Sequence, residues 1–523
     1  MGLNVRIILM AMLVLSCETA LVRPERNVKY DYGSDIPHDM IVLGDRLENP
    51  YKTENMTKAL QFLYSTKAER VELETTDLYV RFLPVDDQEY ELLEDLGLHL
   101  FDHPLDYEVV VEGDWYHDPD LPEESVTWQY AVVPKDFEFP DVAYEIIDQC
   151  YLVENDTKTK ADWVDWEAVE YEAYRLTGNE DMIAGSQTKA SKHRPSGRIT
   201  IVDEEADGGK PFGVAGVTVS CNAFVRMADC CTDRDGYYSM NKSFSSNLRY
   251  RLVFKNQKGF SIGMNLVIVP ASVSTLGKSG PEGVSVTVTR DSEDKLFRRC
   301  AVNNAAYAFY SRCCKEDLGV TPPPADLRIW LMNSLHASSA VMLHHGAILK
   351  NDLLVSFLGK YSPLIQFLAP DITIGTKGRE DYASLFNAVN HELAHASHFV
   401  NVGRDFWDAY ILYIIESFVM SGGMEYGDGT ADGAGHCEVG EMWAYYLESK
   451  MYKDRYGGAF PSYGSSFWLY PQIFRYMDER GVSSEAICSV LTSSVTTREH
   501  LRDALLRAIP SKKTIIEQAF SRY

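Results

Sequence analysis

The sequence predicts a multidomain chain: a small α+β domain at its N-terminal side, an all-β sandwich in the middle, and a mainly α C-terminal domain with a small edge sheet. Three observations lead there. At 523 residues the chain has room for two to four domains. Short apolar runs between Gly/Asp turns fill residues 196–290, a strand pattern. Beyond Ser292 the apolar spacing becomes helical, and within that part stands His391-Glu392-Leu393-Ala394-His395.

Composition narrows the functional classes. Hydrophobic residues make up 45% and aromatics 12%, which is globular and not disordered. A net charge of −26, spread along the chain, argues against nucleic acid as a partner and against adsorption to anionic lipid by charge alone. Of the 10 cysteines, none forms a C-x-x-C pair, so a cysteine zinc site has no local support.

The first 16 residues read as a signal peptide: Arg6 leads into the apolar run Ile7 to Leu15, too short to span a bilayer. The run ends in Val14-Leu15-Ser16-Cys17, which resembles a bacterial lipobox. That resemblance implies lipidation at Cys17 and an exported, membrane-anchored lipoprotein, periplasmic or on the cell surface. An ordinary secretory signal is the alternative. Residues 17–35 form the lipid anchor and a polar tether.

Residues 36–151 form the α+β domain, with a helical face at Met56, Leu60 and Leu63 and strands over Thr76–Phe82 and Asp106–Val111. Nothing in this domain has ligand spacing; a pro-domain, a spacer and a binding module are all open. Residues 152–195 are a charged linker carrying one docking helix with Trp163 and Trp166.

From 196 to 290 the strands are punctuated by Gly216-Val217-Thr218-Val219 and by Thr232-Asp-Arg-Asp-Gly-Tyr-Tyr238. This order resembles the carboxypeptidase regulatory-like (transthyretin-like) domain, which implies a spacer or surface module. Asp235-Gly236 supplies a turn where φ is positive; the aspartates read as turn residues, with calcium the less favoured role.

The last domain covers 291–523. Pro370-Asp-Ile-Thr-Ile-Gly375 reads as an edge strand, and Leu385–Val402 as a helix that Gly403 can close. On that helix His391 and His395 lie one turn apart, about 6 Å along the axis, so their imidazoles can converge on one ion. Glu392 sits about 100° round the helix, beside that ion, where it can take a proton from water. The bland alternative is a buried helix whose histidines are merely hydrogen-bonded.

The third ligand separates the classes of H-E-x-x-H protein. His398 and Asn401 occupy the positions at which a metzincin needs Gly and His, so the chain is not one. His398 lies roughly 10 Å along the axis from His391, too far for one ion on a straight helix, and is left to a second layer or the core. A Gly-rich stretch, Gly422–Gly440, is expected as a loop leading to a helix that starts at Glu441. Its Glu441-Met-Trp-Ala resembles the third-ligand helix of gluzincin-like peptidases. Glu438, placed in the loop, is the alternative ligand.

The resemblance implies a zincin-like domain binding Zn²⁺ through His391, His395 and Glu441, with Glu392 as general base and a protein or peptide as substrate. Thermolysin-like enzymes carry an Asp four residues after the third ligand; here that position is Tyr445. His398, His436 and Tyr445 are candidates for second-layer or oxyanion roles, with Tyr426 and Tyr446 near in sequence. A non-catalytic surface lipoprotein with a structural or vestigial zinc helix is the alternative function. A cell-wall peptide amidase is a third.

Overall fold

The computed structural model describes residues 40–523 apart from 67–70, 123–124, 158–160, 184–191, 264–270, 334, 348–369, 422–425, 462 and 464–466. Cys17 and the whole leader and tether therefore lie outside the described residues. The chain is multidomain, with helices and several sheets.

The N-terminal part contains β1 (Val42–Arg46), α1 (Thr53–Leu63), β2 (Asp77–Leu83), α2 (Asp87–Asp95), β3 (Tyr107–Val111), β4 (Gln129–Pro134) and β5 (Ala143–Cys150). An antiparallel sheet of order β4-β2-β5 and a β1-β3 ribbon form its β portion. The expected linker helix is α3 (Trp166–Leu176). It is docked rather than loose: Val169 and Ala173 pack with Met56, Ala59 and Leu60 of α1 in one small core.

Next come β6 (Ser196–Ile201), β7 (Phe212–Gly213), β8 (Thr218–Ala223), β9 (Arg226–Cys231), β10 (Tyr237–Ser239), β11 (Leu248–Val253), β12 (Phe260–Gly263), β13 (Val273–Ser279) and β14 (Val286–Val288). All but β12 form two sheets, β10-β6-β14 with β7 alongside, and β13-β11-β8-β9. Ile199 and Val288 of one share a core with Val219, Tyr250 and Leu252 of the other. In the turn before β10, Asp233 Oδ1 accepts from the amides of Asp235 and Tyr237, both at 2.9 Å. Gly236 has φ 82°, and a Cβ there would stand 2.0 Å from the Ile199 carbonyl oxygen. These contacts account for the Asp-Gly pattern as turn chemistry.

The C-terminal part holds α4 (Asp294–Arg312), β15 (Leu327–Met332), β16 (Ser339–Ala340), β17 (Ile372–Gly375), α5 (Tyr382–Ser421), α6 (Ala434–Tyr456), α7 (Gln472–Asp478), α8 (Ser484–Cys488), α9 (Arg498–Ala508) and α10 (Lys513–Arg522). Its sheet runs β12-β15-β17-β16. β12, β15 and β17 are parallel neighbours, and β16 pairs antiparallel to β17.

Two expectations change here. The segment 372–375 is a strand, but an interior one, because β15 and β16 flank it; among the described residues the edge belongs to Ser339–Ala340. Residue 290 is also not a break in packing. β12, from the middle segment, completes the C-terminal sheet, and one apolar core runs from Ile199 to Ala519.

Helix α5 carries a bend at Gly403 (φ 76°, ψ 179°), which no helix accommodates. The first arm therefore closes where the sequence predicts, and a second arm continues to Ser421. Asp381 caps the first arm, accepting from the Ser384 amide at 2.7 Å. Leu385, Val389, Leu393 and Ala396 are buried along it. Helix α6 lies against both arms. Its C-terminal end is fixed by Arg455, which bonds Asp203 Oδ2 at 2.6 Å and sits 4.8–5.5 Å from the ring centres of Phe212, Tyr382, Phe386 and Tyr456. The two helices that bear the site are thereby held at their far ends.

Candidate metal centre

His391 and His395 come from the first arm of α5, and Glu441 from the second turn of α6. Their donor atoms gather at one buried point. His391 Nε2 lies 3.2 Å from His395 Nε2, 3.4 Å from Glu441 Oε2; His395 Nε2 lies 3.4 Å from Glu441 Oε1. His395 and Glu441 are 2% and 1% exposed, and His391, at 9%, is the member nearest solvent. Among the described residues this is the one group of three such side chains able to hold an ion.

The spacing fits a small cation. Ligands at about 2.0–2.1 Å around a tetrahedral zinc are separated by roughly 3.3 Å, close to the spacing of the two imidazole nitrogens here and of each from one of the Glu441 oxygens. Glu441 Oε2 is buried and has no hydrogen-bond partner among the described residues. His391 Nε2 stands 3.4 Å from it, and a buried carboxylate oxygen so placed calls for a proton or a cation at the centre. His395 Nδ1 is likewise without a hydrogen-bond partner among the described residues.

Electrostatics agree. Burial acts to raise the Glu441 pKa, but the two imidazoles outweigh it and hold the carboxyl well below its ordinary range. Burial acts to lower that of His391, while the facing carboxylates of Glu441 and Glu448 carry it well above the usual value. At His395 burial prevails and the pKa falls. An ionised carboxylate facing two nitrogens demands positive charge at their centre, supplied by a proton or by a metal ion.

No known protein family matches the chain, and no curated protein or solved structure is detectably similar to it. The site is therefore read from its own geometry.

Two residues that spacing did not reveal complete it. Glu448 Oε2 accepts from His391 Nδ1 at 2.7 Å, and its other oxygen accepts from Asn387 Nδ2. With the proton fixed on Nδ1, Nε2 is left as the ligand atom. Tyr410, on the second arm of α5, donates to Glu441 Oε1 at 2.6 Å. The sequence signal for Glu448 is its place two turns after Glu441; Tyr410 has none, since it depends on the bend at Gly403.

Glu392 is 5% exposed and acts electrostatically on His391 and Tyr410, beside the cluster and outside the ligand triangle. Glu438 is not among the three gathered side chains; it faces Arg498 at 3.4 Å. The helix begins at Ala434, not at Glu441, so Glu438 and Gly440 are helical rather than in a loop.

The remaining candidates do not gather at the centre. His398 is fully buried against Phe406 and Trp407, with neither ring nitrogen hydrogen-bonded among the described residues, and burial lowers its pKa to about 3. His436 is half-buried against Phe406. Tyr445 packs its ring edge-on to His391, 4.7 Å between centroids. Tyr446 lies against Trp443 and Phe474, and the Tyr426 carbonyl accepts from Tyr413. Asn401, where a metzincin would place its third histidine, bonds Thr321 and Cys488 instead.

Proposed function

We propose that the chain is a zinc-dependent peptidase of the gluzincin type. The observation that carries this reading is the buried gathering of His391, His395 and Glu441 with Glu392 beside it. When bound, zinc supplies a Lewis acid for a carbonyl oxygen and lowers the pKa of water towards about 7.

The chain's own groups do the rest. His391, His395 and Glu441 hold the ion, and Glu448 keeps His391 in the tautomer and orientation that ligation needs. Glu392 takes a proton from the attacking water at its carboxylate and returns it to the departing amine. A purely structural site has no use for a carboxylate there. β16 is tied to the centre through Trp407, whose Nε1 donates to Ala340 O at 2.9 Å and whose ring lies 5.8 Å from that of His395.

The same proposal includes an exported lipoprotein anchored at Cys17, with residues 196–290 as a transthyretin-like module. No helix among the described residues is long and apolar enough to cross a membrane. The test is hydrolysis of an unfolded protein substrate by the purified chain. Cleavage that zinc restores after chelation supports the reading; an inert wild-type protein carrying its full zinc contradicts it.

A further inference from the structure

The two oxygens of Glu441 are not equivalent. Oε1 accepts the Tyr410 hydroxyl at 2.6 Å, whereas Oε2 is buried with no hydrogen-bond partner among the described residues. Both oxygens are within reach of the centre, for each stands 3.4 Å from one imidazole nitrogen. A carboxylate so placed can offer one oxygen or two. If it offers two, it takes the position that a catalytic zinc keeps open.

Tyr410 reaches this carboxylate because of two glycines. Gly403 ends the first arm of α5 and re-aims the second, which carries Tyr410. Gly440 immediately precedes the ligand, and a Cβ there would stand 3.3 Å from Tyr410 Cε2. The phenol ring is further held against Trp407, 4.7 Å between centroids, and against His395 at 5.6 Å. Tyr410 is 5% exposed, so no water competes freely for its hydroxyl.

We propose that Tyr410 is a positioning residue: it occupies Oε1 of Glu441 and leaves Oε2 as the single oxygen presented to the metal. This rests on the metal-centre reading above. The consequence is a ligand set of two nitrogens and one oxygen, with room for solvent or substrate.

The test uses the full chain loaded with cobalt(II), whose visible absorption weakens as its coordination number rises. Wild type should give the intense spectrum of a four-coordinate ion. Tyr410→Phe keeps the ring and removes the hydroxyl; it should weaken the visible bands and shift cobalt affinity by roughly 10-fold with an unchanged melting temperature. Gly440→Ala, which pushes the ring away while keeping the hydroxyl, should shift the spectrum in the same direction and serves if the first variant does not fold. A four-coordinate wild-type spectrum reproduced in both variants would overturn the role of Tyr410 and leave the metal centre standing. A wild-type protein that takes up no cobalt would overturn the centre itself.

Discussion

Glu448 holds Nδ1 of His391 at 2.7 Å from a position two helical turns beyond Glu441. The ligand helix α6 thus supplies both a metal ligand and the group that orients a ligand on α5. Replacing Glu448 by Gln should lower zinc affinity by about 10–100-fold, the usual cost of losing such a partner, while the fold survives. Competition with a chromophoric chelator measures it. Affinity equal to wild type would mean that the contact does not orient His391.

Glu392→Gln separates binding from chemistry. The side chain keeps its size and stays outside the ligand triangle, so zinc content should be unchanged. Peptide cleavage should fall by about 10²–10⁴-fold, the contribution expected of a general base. Cleavage at the wild-type rate would remove Glu392 from the mechanism.

Glu438 carries a pH signature of its own. Burial, only partly offset by Arg498, pushes its carboxyl up to about 7 from 4.5. The folded state therefore keeps a proton that the unfolded chain loses above pH 4.5. Stability from this group is complete below pH 4.5, falls as pH rises to about 7, and is flat beyond. Glu438→Gln should remove that slope and raise stability above pH 7 by an amount on the order of 3 kcal/mol. Denaturant melts at pH 5 and pH 8 compare the two proteins; identical slopes would show that Glu438 is ionised in the fold.

The N-terminal part behaves as a wall of the molecule. Asp114 forms a buried ion pair with Arg299 of α4 at 2.6 Å and accepts from the Thr275 amide. Asp114→Ala leaves Arg299 buried without its counter-charge and should cost about 3–5 kcal/mol. Chemical denaturation checks this, and a loss below 1 kcal/mol would argue for a loosely attached unit.

Nearby, His103 accepts from Arg251 Nη2 at 2.7 Å; burial and then Arg251 lower its pKa to about 4. The unfolded histidine protonates near 6.5, so the stability it lends is present above pH 6.5 and lost as pH falls to about 4. His103→Gln should shed that part of the acid sensitivity in melts taken between pH 4 and pH 7. A variant with the wild-type pH slope would contradict it.

What was legible in the sequence is what local geometry dictates. His391 and His395 share a face because 3.6 residues make a turn, Gly403 stops the arm, and Glu441 follows at the expected remove. Glu448 and Tyr410 were hidden because their roles arise from how α5 and α6 pack, which no spacing within one helix encodes. The interior place of β17 was hidden too, since Ser339–Ala340 is too short a strand to leave a pattern. The helix start at Ala434 was masked by glycines: Gly435 and Gly440 are there for close approach to Thr496 O and to Tyr410, not for flexibility. β12 crosses from one segment to another sheet with nothing in its alternation to mark the change.

The metal content of the purified chain tests the central claim most directly, measured in wild type, Glu438→Gln and Glu441→Gln after dialysis against a weak chelator. One zinc per chain is expected in wild type and in Glu438→Gln, with loss of zinc in Glu441→Gln. Wild type without stoichiometric metal, or zinc that stays in Glu441→Gln and leaves Glu438→Gln, would contradict a centre built on His391, His395 and Glu441.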